Sequence, residues 1–155
     1  MVKVRMRDND MARIEVNLEV KRPLRDVFNY WVDVKSWPEW SLSMDKLEFV
    51  SNDPICVGSK IRGVTRHLGR PWAWTATVID YNPYKVCAFI IETSAVTIAE
   101  HDSFESTNNG TKTHSVLEIK GKGFIKLLLP LLIGSFKRSV TQDLERLQYN
   151  LESRK

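Results

Sequence analysis

The chain has 155 residues, which is enough for one ordinary domain and too few for two independent cores joined by a linker. Hydrophobic residues make up 43% and charged residues 27%, proportions that disfavour disordered and fibrous proteins. The 23 basic and 19 acidic side chains give a formal net charge of +4. The basic residues are scattered rather than clustered, so no nucleic-acid partner is expected. Five tryptophans are the unusual count, and they suggest an aromatic-rich cavity or interface.

The cysteines and the N-terminus bear on the compartment. Cys56 and Cys87 are too few for the disulfide framework of a small secreted protein, and both are predicted to be buried or half-buried thiols. The first residues lack the apolar stretch of a signal peptide, so a cytoplasmic location is expected. The longest apolar run, residues 124–136, is interrupted by Lys126 and Pro130 and falls short of the roughly 20 residues of a membrane span.

The first half of the chain begins with an arm, residues 1–11, whose weak alternation would at most extend a strand. Residues 12–20 alternate cleanly between apolar and polar, which predicts a half-buried strand. Pro23 is placed to open a helix, because proline is tolerated in the first turn. Residues 35–41 contain Pro38 and predict a short second helix or a turn.

Six strand-like runs follow at short intervals, at residues 46–51, 59–67, 72–81, 85–93, 96–106 and 111–120. Turn signals separate them, among them residues 52–54 and 68–71, and Asn109-Gly110 is typical of a two-residue hairpin turn. Short connections imply antiparallel neighbours, so the runs predict one meandering sheet.

The closing segment changes to a helical period. Apolar residues recur at spacings of three and four from Phe136 to Leu151, which predicts a long amphipathic helix over residues 124–153. Pro130 costs about 3 kcal/mol in a regular helix interior, so a kink or break is expected there.

Several short motifs occur in an order that carries a family resemblance: Val20-Lys21-Arg22-Pro23, Asp26-Val27-Phe28, Trp37-Pro38-Glu39-Trp40, Val57-Gly58-Ser59, Asn82-Pro83 and Asn109-Gly110-Thr111. With the closing helix they resemble the START-like, or SRPBCC, helix-grip superfamily, and within it the polyketide cyclase/dehydrase and lipid-transport family. The resemblance implies an α+β helix-grip fold. In it a curved, antiparallel, seven-stranded sheet wraps a long C-terminal helix, with two short helices between strands 1 and 2. The domain would span residues 12–155, after the arm at 1–11.

The same resemblance implies a deep, mainly apolar cavity between sheet and helix, and alternation predicts which side chains face it. For residues 85–93 both faces are apolar and neither can be chosen. The inward set on three other strands is Ile61, Gly63, Thr65 and His67, then Trp72, Trp74, Ala76 and Val78, then Thr113, Ser115, Leu117 and Ile119.

In residues 96–106, turning Val96, Ile98 and Phe104 inward also brings in Glu100 and Asp102. A carboxyl group held in an apolar cavity has a raised pKa and serves as a general acid or base. The candidate catalytic residues are therefore Glu100, Asp102 and His67, with Tyr81 as an alternative partner. The competing interpretation is a bulge or a different phase that leaves both carboxylates in solvent.

Metal and nucleophile chemistry find no support in the sequence. His67, His101 and His114 fall on different strands, and none of the spacings typical of a metal site occurs, so neither a metal nor a cofactor is predicted. A nucleophile elbow or a phosphate-binding glycine loop is also missing from the sequence.

Two apolar segments keep alternative interpretations. The aromatic cluster of Tyr30, Trp31, Trp37 and Trp40 either caps one end of the core or lines the ligand entrance. Residues 124–133 are apolar on nearly all sides. They either pack under a loop, or form a dimer interface, or touch a membrane transiently during lipid loading, with Lys122, Lys126, Lys137 and Arg138 suited to anionic headgroups.

The leading functional hypothesis is a binding or transport module for a hydrophobic small molecule such as a lipid, an isoprenoid or a polyketide-like compound. One alternative is a small cyclase, dehydratase or isomerase that uses a cavity carboxylate. Another is a structural interaction protein whose cavity is filled, which a volume below about 300 Å³ would indicate. The predicted ligand-binding residues are Trp31, Trp37, Trp40, Ile61, Thr65, Trp72, Trp74, Ser115, Leu117, Leu128, Leu132 and Phe136.

Overall fold

The computed structural model describes residues 1–8, 10–51 and 54–154. A meander of strands is followed by one long helix, as the alternation and the final helical period predict. In chain order the elements are β1 (Val2–Asp8), β2 (Met11–Val20), α1 (Leu24–Val32), a 3-10 turn (Val34–Ser36), α2 (Trp37–Trp40), β3 (Met44–Phe49), β4 (Lys60–His67), β5 (Arg70–Asn82), β6 (Val86–Thr93), β7 (Val96–Thr107), β8 (Gly110–Gly121) and α3 (Ile125–Ser153).

All strands belong to one antiparallel sheet with the order β1-β2-β8-β7-β6-β5-β4-β3. The sheet has eight strands, so the prediction of seven is wrong by one. The additional strand is β1, which was expected to be an arm. It pairs with β2 because Val2, Val4 and Met6 pack on the core while the residues between them stay exposed. The helix-grip architecture, a curved sheet packed on one long C-terminal helix, is otherwise the one predicted.

The helix α3 runs through Pro130 without ending, so the break expected there is not seen. Pro130 is the sixth residue of the helix and is exposed. A proline removes the N–H that would bind the carbonyl four residues earlier, here that of Lys126, and near an exposed helix start water can replace that bond. Leu129, Leu147 and Leu151 are buried along the same helix and hold it against the sheet.

The segment between β2 and β3 forms the two predicted short helices. Pro23 precedes α1 as its N-cap, and Val27, Phe28, Tyr30 and Trp31 are buried on one face. This face packs against β7 and β8, which closes one end of the sheet.

One turn and one cysteine differ from expectation, and a second predicted turn falls partly outside the described residues. β7 and β8 are joined by residues 108–109 rather than by Asn109-Gly110, and Gly110 is the first residue of β8. A side chain at residue 110 would overlap the carbonyl of Val20. Of the turn predicted at residues 52–54, the first two lie outside the described residues. Cys87 is buried as predicted, whereas Cys56 is exposed because it lies in the irregular segment before β4.

Candidate functional site: a tryptophan-lined cavity

A cavity of about 490 Å³ lies between the concave face of the sheet and α3. This volume is above the roughly 300 Å³ at which small-molecule pockets begin, so the filled-cavity alternative loses its support. Apolar side chains from β4 to β8 form one wall, and α3 forms the other. The two walls include Thr65, Trp72, Trp74, Ala76, Phe89, Ile91, Ile98, Leu117, Leu128, Leu132 and Phe136.

All five tryptophans of the chain line this cavity. Trp31 and Trp40 come from the two short helices, and their ring centroids are 6.2 Å apart. Trp37 approaches Trp74 of β5, with centroids 6.4 Å apart, so the helical segment meets the sheet at the cavity. The compositional excess of tryptophan is therefore concentrated around this cavity. Indole rings offer large, rigid contact surfaces to an apolar ligand.

The fourth member of the predicted aromatic cluster, Tyr30, does not line the cavity. Its hydroxyl donates a hydrogen bond to Oε2 of Glu39 at 2.8 Å and accepts one from Nδ2 of Asn150 at 3.1 Å. The guanidinium of Arg154 lies 4.2 Å above the Tyr30 ring. Tyr30 thus fastens α1 to the C-terminal end of α3, and the cluster divides between core cap and cavity wall.

One predicted ligand-binding residue lies elsewhere. Ile61 is fully buried in a core cluster with Val78 and Phe89, at the end of β4 remote from the cavity opening. Its inward orientation was predicted correctly, but the inward face of β4 continues beyond the cavity into packed core. The other predicted ligand-binding residues all line the cavity: Trp31, Trp37, Trp40, Thr65, Trp72, Trp74, Ser115, Leu117, Leu128, Leu132 and Phe136.

The phase of β6, which alternation left open, is now defined. Phe89, Ile91 and Thr93 line the cavity, and Glu92 is exposed between them. The single charged residue of that strand was the available signal, because a carboxylate on a solvent-facing position turns its two neighbours inward. Ser139, Val140, Asp143 and Leu144 of α3 were also missed, since they lie beyond the apolar segment that drew attention to the helix.

Both carboxylates of β7 turn inward, so the interpretation that left them in solvent is not supported. Glu100 lines the cavity, between the apolar cross-strand neighbours Phe89 and Leu117. Asp102 is fully buried below it. Trp31 Nε1 donates to Asp102 Oδ2 at 3.1 Å, and Ser115 Oγ donates to Oδ1 at 2.5 Å.

Burial shifts the acidity of these groups. It raises the pKa of Glu100 well above 4.5, and the charge of Asp102 adds to the shift. It also raises the pKa of Asp102 to about 6, although the hydrogen bonds from Ser115 and Trp31 act in the opposite direction. Burial therefore favours the protonated form of Glu100, and the negative charge of Asp102 favours it further.

Of the two predicted acid–base partners, His67 lines the cavity and Tyr81 does not. His67 lines the cavity and its ring stacks on Phe136 with centroids 5.0 Å apart, and burial lowers its pKa. Tyr81 lies outside the cavity lining and packs against Phe28 in the core. The direct partners of Asp102 are Trp31 and Ser115 rather than a histidine or a tyrosine.

The rim of the cavity is tied to α3 by Asp143. Its Oδ2 accepts a hydrogen bond from Ser41 Oγ at 2.9 Å, and its Oδ1 accepts one from the backbone N–H of Leu42 at 3.0 Å. Burial raises the pKa of Asp143. The loop between α2 and β3 is thereby held over the cavity.

Among the residues that the structure describes, no group of three or more His, Cys, Asp or Glu side chains is arranged to hold a metal ion. Within the same residues, no helix is long and apolar enough to cross a membrane.

Comparison with known proteins gives a family and a fold. The sequence model of the family described as "Polyketide cyclase / dehydrase and lipid transport" matches residues 11–152. No curated protein matches the sequence. The solved structure of an aromatase/cyclase, Zhui from Streptomyces sp. R1128, is similar with a TM-score of 0.80 and 16% identity, covering 92% of this chain and 94% of that one.

Two further solved structures have the same fold. A protein from Thermus thermophilus aligns with a TM-score of 0.77 and 16% identity over 90% of this chain and 96% of that one. An uncharacterised protein from Rhizobium leguminosarum aligns with a TM-score of 0.72 and 16% identity over 99% of both chains. At these identities the likeness concerns the fold alone.

Proposed function

Because the chain belongs to the polyketide cyclase/dehydrase and lipid-transport family, we propose that its cavity binds and carries a hydrophobic small molecule of the lipid, isoprenoid or polyketide-like class. The observation that carries this proposal is the concentration of all five tryptophans around a cavity of about 490 Å³. A ligand that buries about 300 Å² of apolar surface gains roughly 7 kcal/mol before association costs. Micromolar affinity then requires no special polar residue.

Native mass spectrometry of the purified protein, followed by solvent extraction, tests this proposal. Ser139→Phe places a ring in the cavity from α3, and Ser153→Phe adds the same ring at an exposed position of the same helix. A co-purifying hydrophobic compound that is lost from Ser139→Phe and retained by Ser153→Phe supports the proposal. Protein that never carries such a compound, and that binds no apolar probe afterwards, contradicts it.

An exposed apolar stripe on α3 supports transfer of the ligand at a membrane. Phe124, Leu127 and Leu131 are 70%, 67% and 79% exposed, and the helical period places them on one face that continues to Arg138. Arg138 at the end of this stripe is exposed, and so are Lys126 and Lys137 on the same helix. Each basic side chain near an anionic bilayer contributes about 1 kcal/mol, and the stripe supplies apolar surface for insertion.

The cavity reaches the surface at the turn between β4 and β5. Leu68 lines the cavity and is 71% exposed, at a turn where its φ of 52° is unusual for a branched residue. The neighbouring His67 stacks on Phe136 of α3, so the turn and the helix meet at the mouth.

Flotation with anionic and with zwitterionic vesicles tests membrane contact. The expected result is salt-sensitive binding to anionic vesicles that is lost in Leu131→Gln and retained in Tyr149→Gln, a matched change at another exposed apolar residue of α3. Failure of the parent protein to float with anionic vesicles at low salt removes the membrane proposal and leaves ligand binding intact.

The second candidate function is an acid–base enzyme of the cyclase, dehydratase or isomerase type. It is supported by Glu100, whose carboxyl group lines the apolar cavity and has a raised pKa. Here His67, which also lines the cavity, is the candidate partner for proton exchange, while Asp102 acts on Glu100 through its charge. Conversion of the extracted compound by the parent protein, followed by mass spectrometry and abolished in Glu100→Gln, would favour this candidate over a carrier.

A further inference from the structure

Glu100 is the acidic group at the centre of the cavity wall, and its surroundings define its chemical state. Phe89 and Leu117 lie beside it on the neighbouring strands, and Ile98 precedes it on the same face of β7. In the described part of the chain its carboxyl oxygens take no hydrogen bond from a side chain or a backbone group. The remaining partner available to the carboxyl group is a molecule in the cavity.

Asp102 lies two residues further along the same face of β7. Unlike Glu100, it has hydrogen-bond donors from the protein. Both of its oxygens accept a hydrogen bond, from Trp31 Nε1 and from Ser115 Oγ, as an ionised carboxylate requires. A second negative charge one strand repeat away in an apolar wall is unfavourable. The proton of the pair therefore belongs on Glu100, which has no donor to stabilise an anion.

The other titratable groups near the cavity do not change this assignment. From α3, Asp143 faces the rim and is engaged by Ser41 and Leu42. From β4, His67 is kept neutral by burial, which lowers its pKa. From β6, the buried Cys87 has a raised pKa and stays a thiol. The cation in the lining, Arg70, lies at the turn beside the mouth and is exposed.

We propose that Glu100 is a specificity-determining residue that donates a hydrogen bond from its protonated carboxyl group to an uncharged acceptor oxygen, such as a ketone, of the bound ligand. The proposal rests on the proposed ligand-binding function and narrows the ligand to an oxygenated hydrophobic molecule. Carboxylic acids held in apolar sites stay neutral and donate in this way. A hydrocarbon leaves the Glu100 donor without a partner, which a carbonyl-bearing ligand of the same shape avoids.

Fluorene and fluorenone are matched probes for this proposal, because they share a ring skeleton and differ by one carbonyl oxygen. Their affinities can be followed by quenching of the cavity tryptophans. The informative quantity is the ratio of the two dissociation constants, which is compared between the parent and variants so that general hydrophobicity cancels. We expect Glu100→Leu to lower the preference for fluorenone by roughly 3- to 10-fold, the usual net effect of one hydrogen bond.

Two further variants separate donor loss from a change of shape. Glu100→Gln keeps an N–H donor and should retain most of the preference. Glu105→Leu makes the same change as Glu100→Leu at an exposed position of β7 outside the cavity lining, and it should retain all of the preference. Circular dichroism establishes that each variant is folded. In the parent, infrared difference spectroscopy at neutral pH should show a protonated carboxyl band that is missing from Glu100→Gln.

The outcomes distinguish the two levels of inference. Both probes bound with a ratio that Glu100→Leu does not alter, or a parent protein without the protonated carboxyl band, would overturn the role of Glu100 and leave ligand binding standing. If neither probe binds and no hydrophobic compound co-purifies, the ligand-binding function itself fails.

Discussion

Trp31 and Asp102 are 71 residues apart in sequence, and the indole N–H of the first donates to the carboxylate of the second at 3.1 Å. The bond joins α1 to β7 directly below the cavity. Because the Trp31 ring also lines the cavity, this single contact fixes both a helix position and part of the binding wall.

Replacing Trp31 by Phe should therefore destabilise the protein by about 1–3 kcal/mol through the hydrogen bond alone, because Asp102 loses one of its two donors in a buried site. Urea unfolding measures this loss. Trp37→Phe is the control, since it makes the same change in ring size but removes a bond to a neutral, half-buried acceptor, the carbonyl of Trp31. Equal losses in the two variants would show that the charge of Asp102 contributes nothing to the difference.

The stability of the fold should depend on pH through Asp102. Its pKa rises from 3.8 to about 6 on folding, so the folded chain holds this proton more tightly than the unfolded chain does. The contribution of Asp102 to the free energy of unfolding is then greatest below about pH 4, and it declines as the pH rises to about 6. The decline is on the order of 2–3 kcal/mol.

Parallel unfolding series of the parent and Asp102→Asn measure this contribution together with its coupling to Glu100, because the charge of Asp102 raises the pKa of Glu100. The difference in unfolding free energy, parent minus variant, should fall as the pH increases through those values. A difference that instead grows with pH would contradict a raised pKa for Asp102.

Gly63 and Trp74 form a cross-strand pair in which the indole ring lies against the glycine, so that a Cβ at residue 63 would overlap the ring. Gly63→Ala should cost about 1–3 kcal/mol, because Trp74 has to leave its position. It should also shift the tryptophan fluorescence, since Trp74 is part of the cavity wall. Gly134→Ala is the control. That residue is exposed in α3 with open space around it, and alanine there should stabilise the protein by up to about 1 kcal/mol.

The two thiols should differ in reactivity. Cys56 is exposed, whereas Cys87 is buried beside Asp102 and Glu100 and its pKa is raised. A thiol reagent should modify one cysteine per folded chain rapidly and the second only after unfolding. Peptide mapping identifies the residue, and Cys56→Ser should abolish the rapid reaction. Fast modification of Cys87 in folded protein would indicate that the sheet opens locally.

Most of the fold follows from periodicity. Alternation identified β2, because its charged residues lie on one face only, and the change of period identified α3. The orientation of β7 was less certain, because its inward face carries Glu100 and Asp102 among the apolar residues. The role of residues 2–8 was not predictable, since their alternation is weak and the strand is stabilised by pairing with β2. The continuation of α3 through Pro130 was not predictable either. The free-energy cost of a proline in a helix depends on whether water reaches the unpaired carbonyl, and the local sequence pattern does not show this exposure.

The candidate site was predictable where strands alternate and less so elsewhere. Trp72, Trp74 and Ser115 follow directly from phase. Asp143 contributes to the rim because α3 and the loop after α2 meet in space, a relationship between residues about 100 positions apart that sequence spacing does not reveal. Ile61 was predicted to bind ligand but lies in packed core. Alternation predicts which face of the sheet a residue is on, but not how far along the strand the cavity extends.

The two edge strands of the sheet bear on whether the protein aggregates at high concentration. β1 and β3 each pair on one side only, so each presents backbone groups on which another strand could grow. Two copies joined through β1 would bring Lys3 and Arg5 against their counterparts, and like charges opposite each other oppose such pairing. β3 has six residues and an irregular register between Met44 and Lys46, which makes it a poor template. Both edges of the sheet therefore disfavour fibril-like stacking, while the cavity stays accessible.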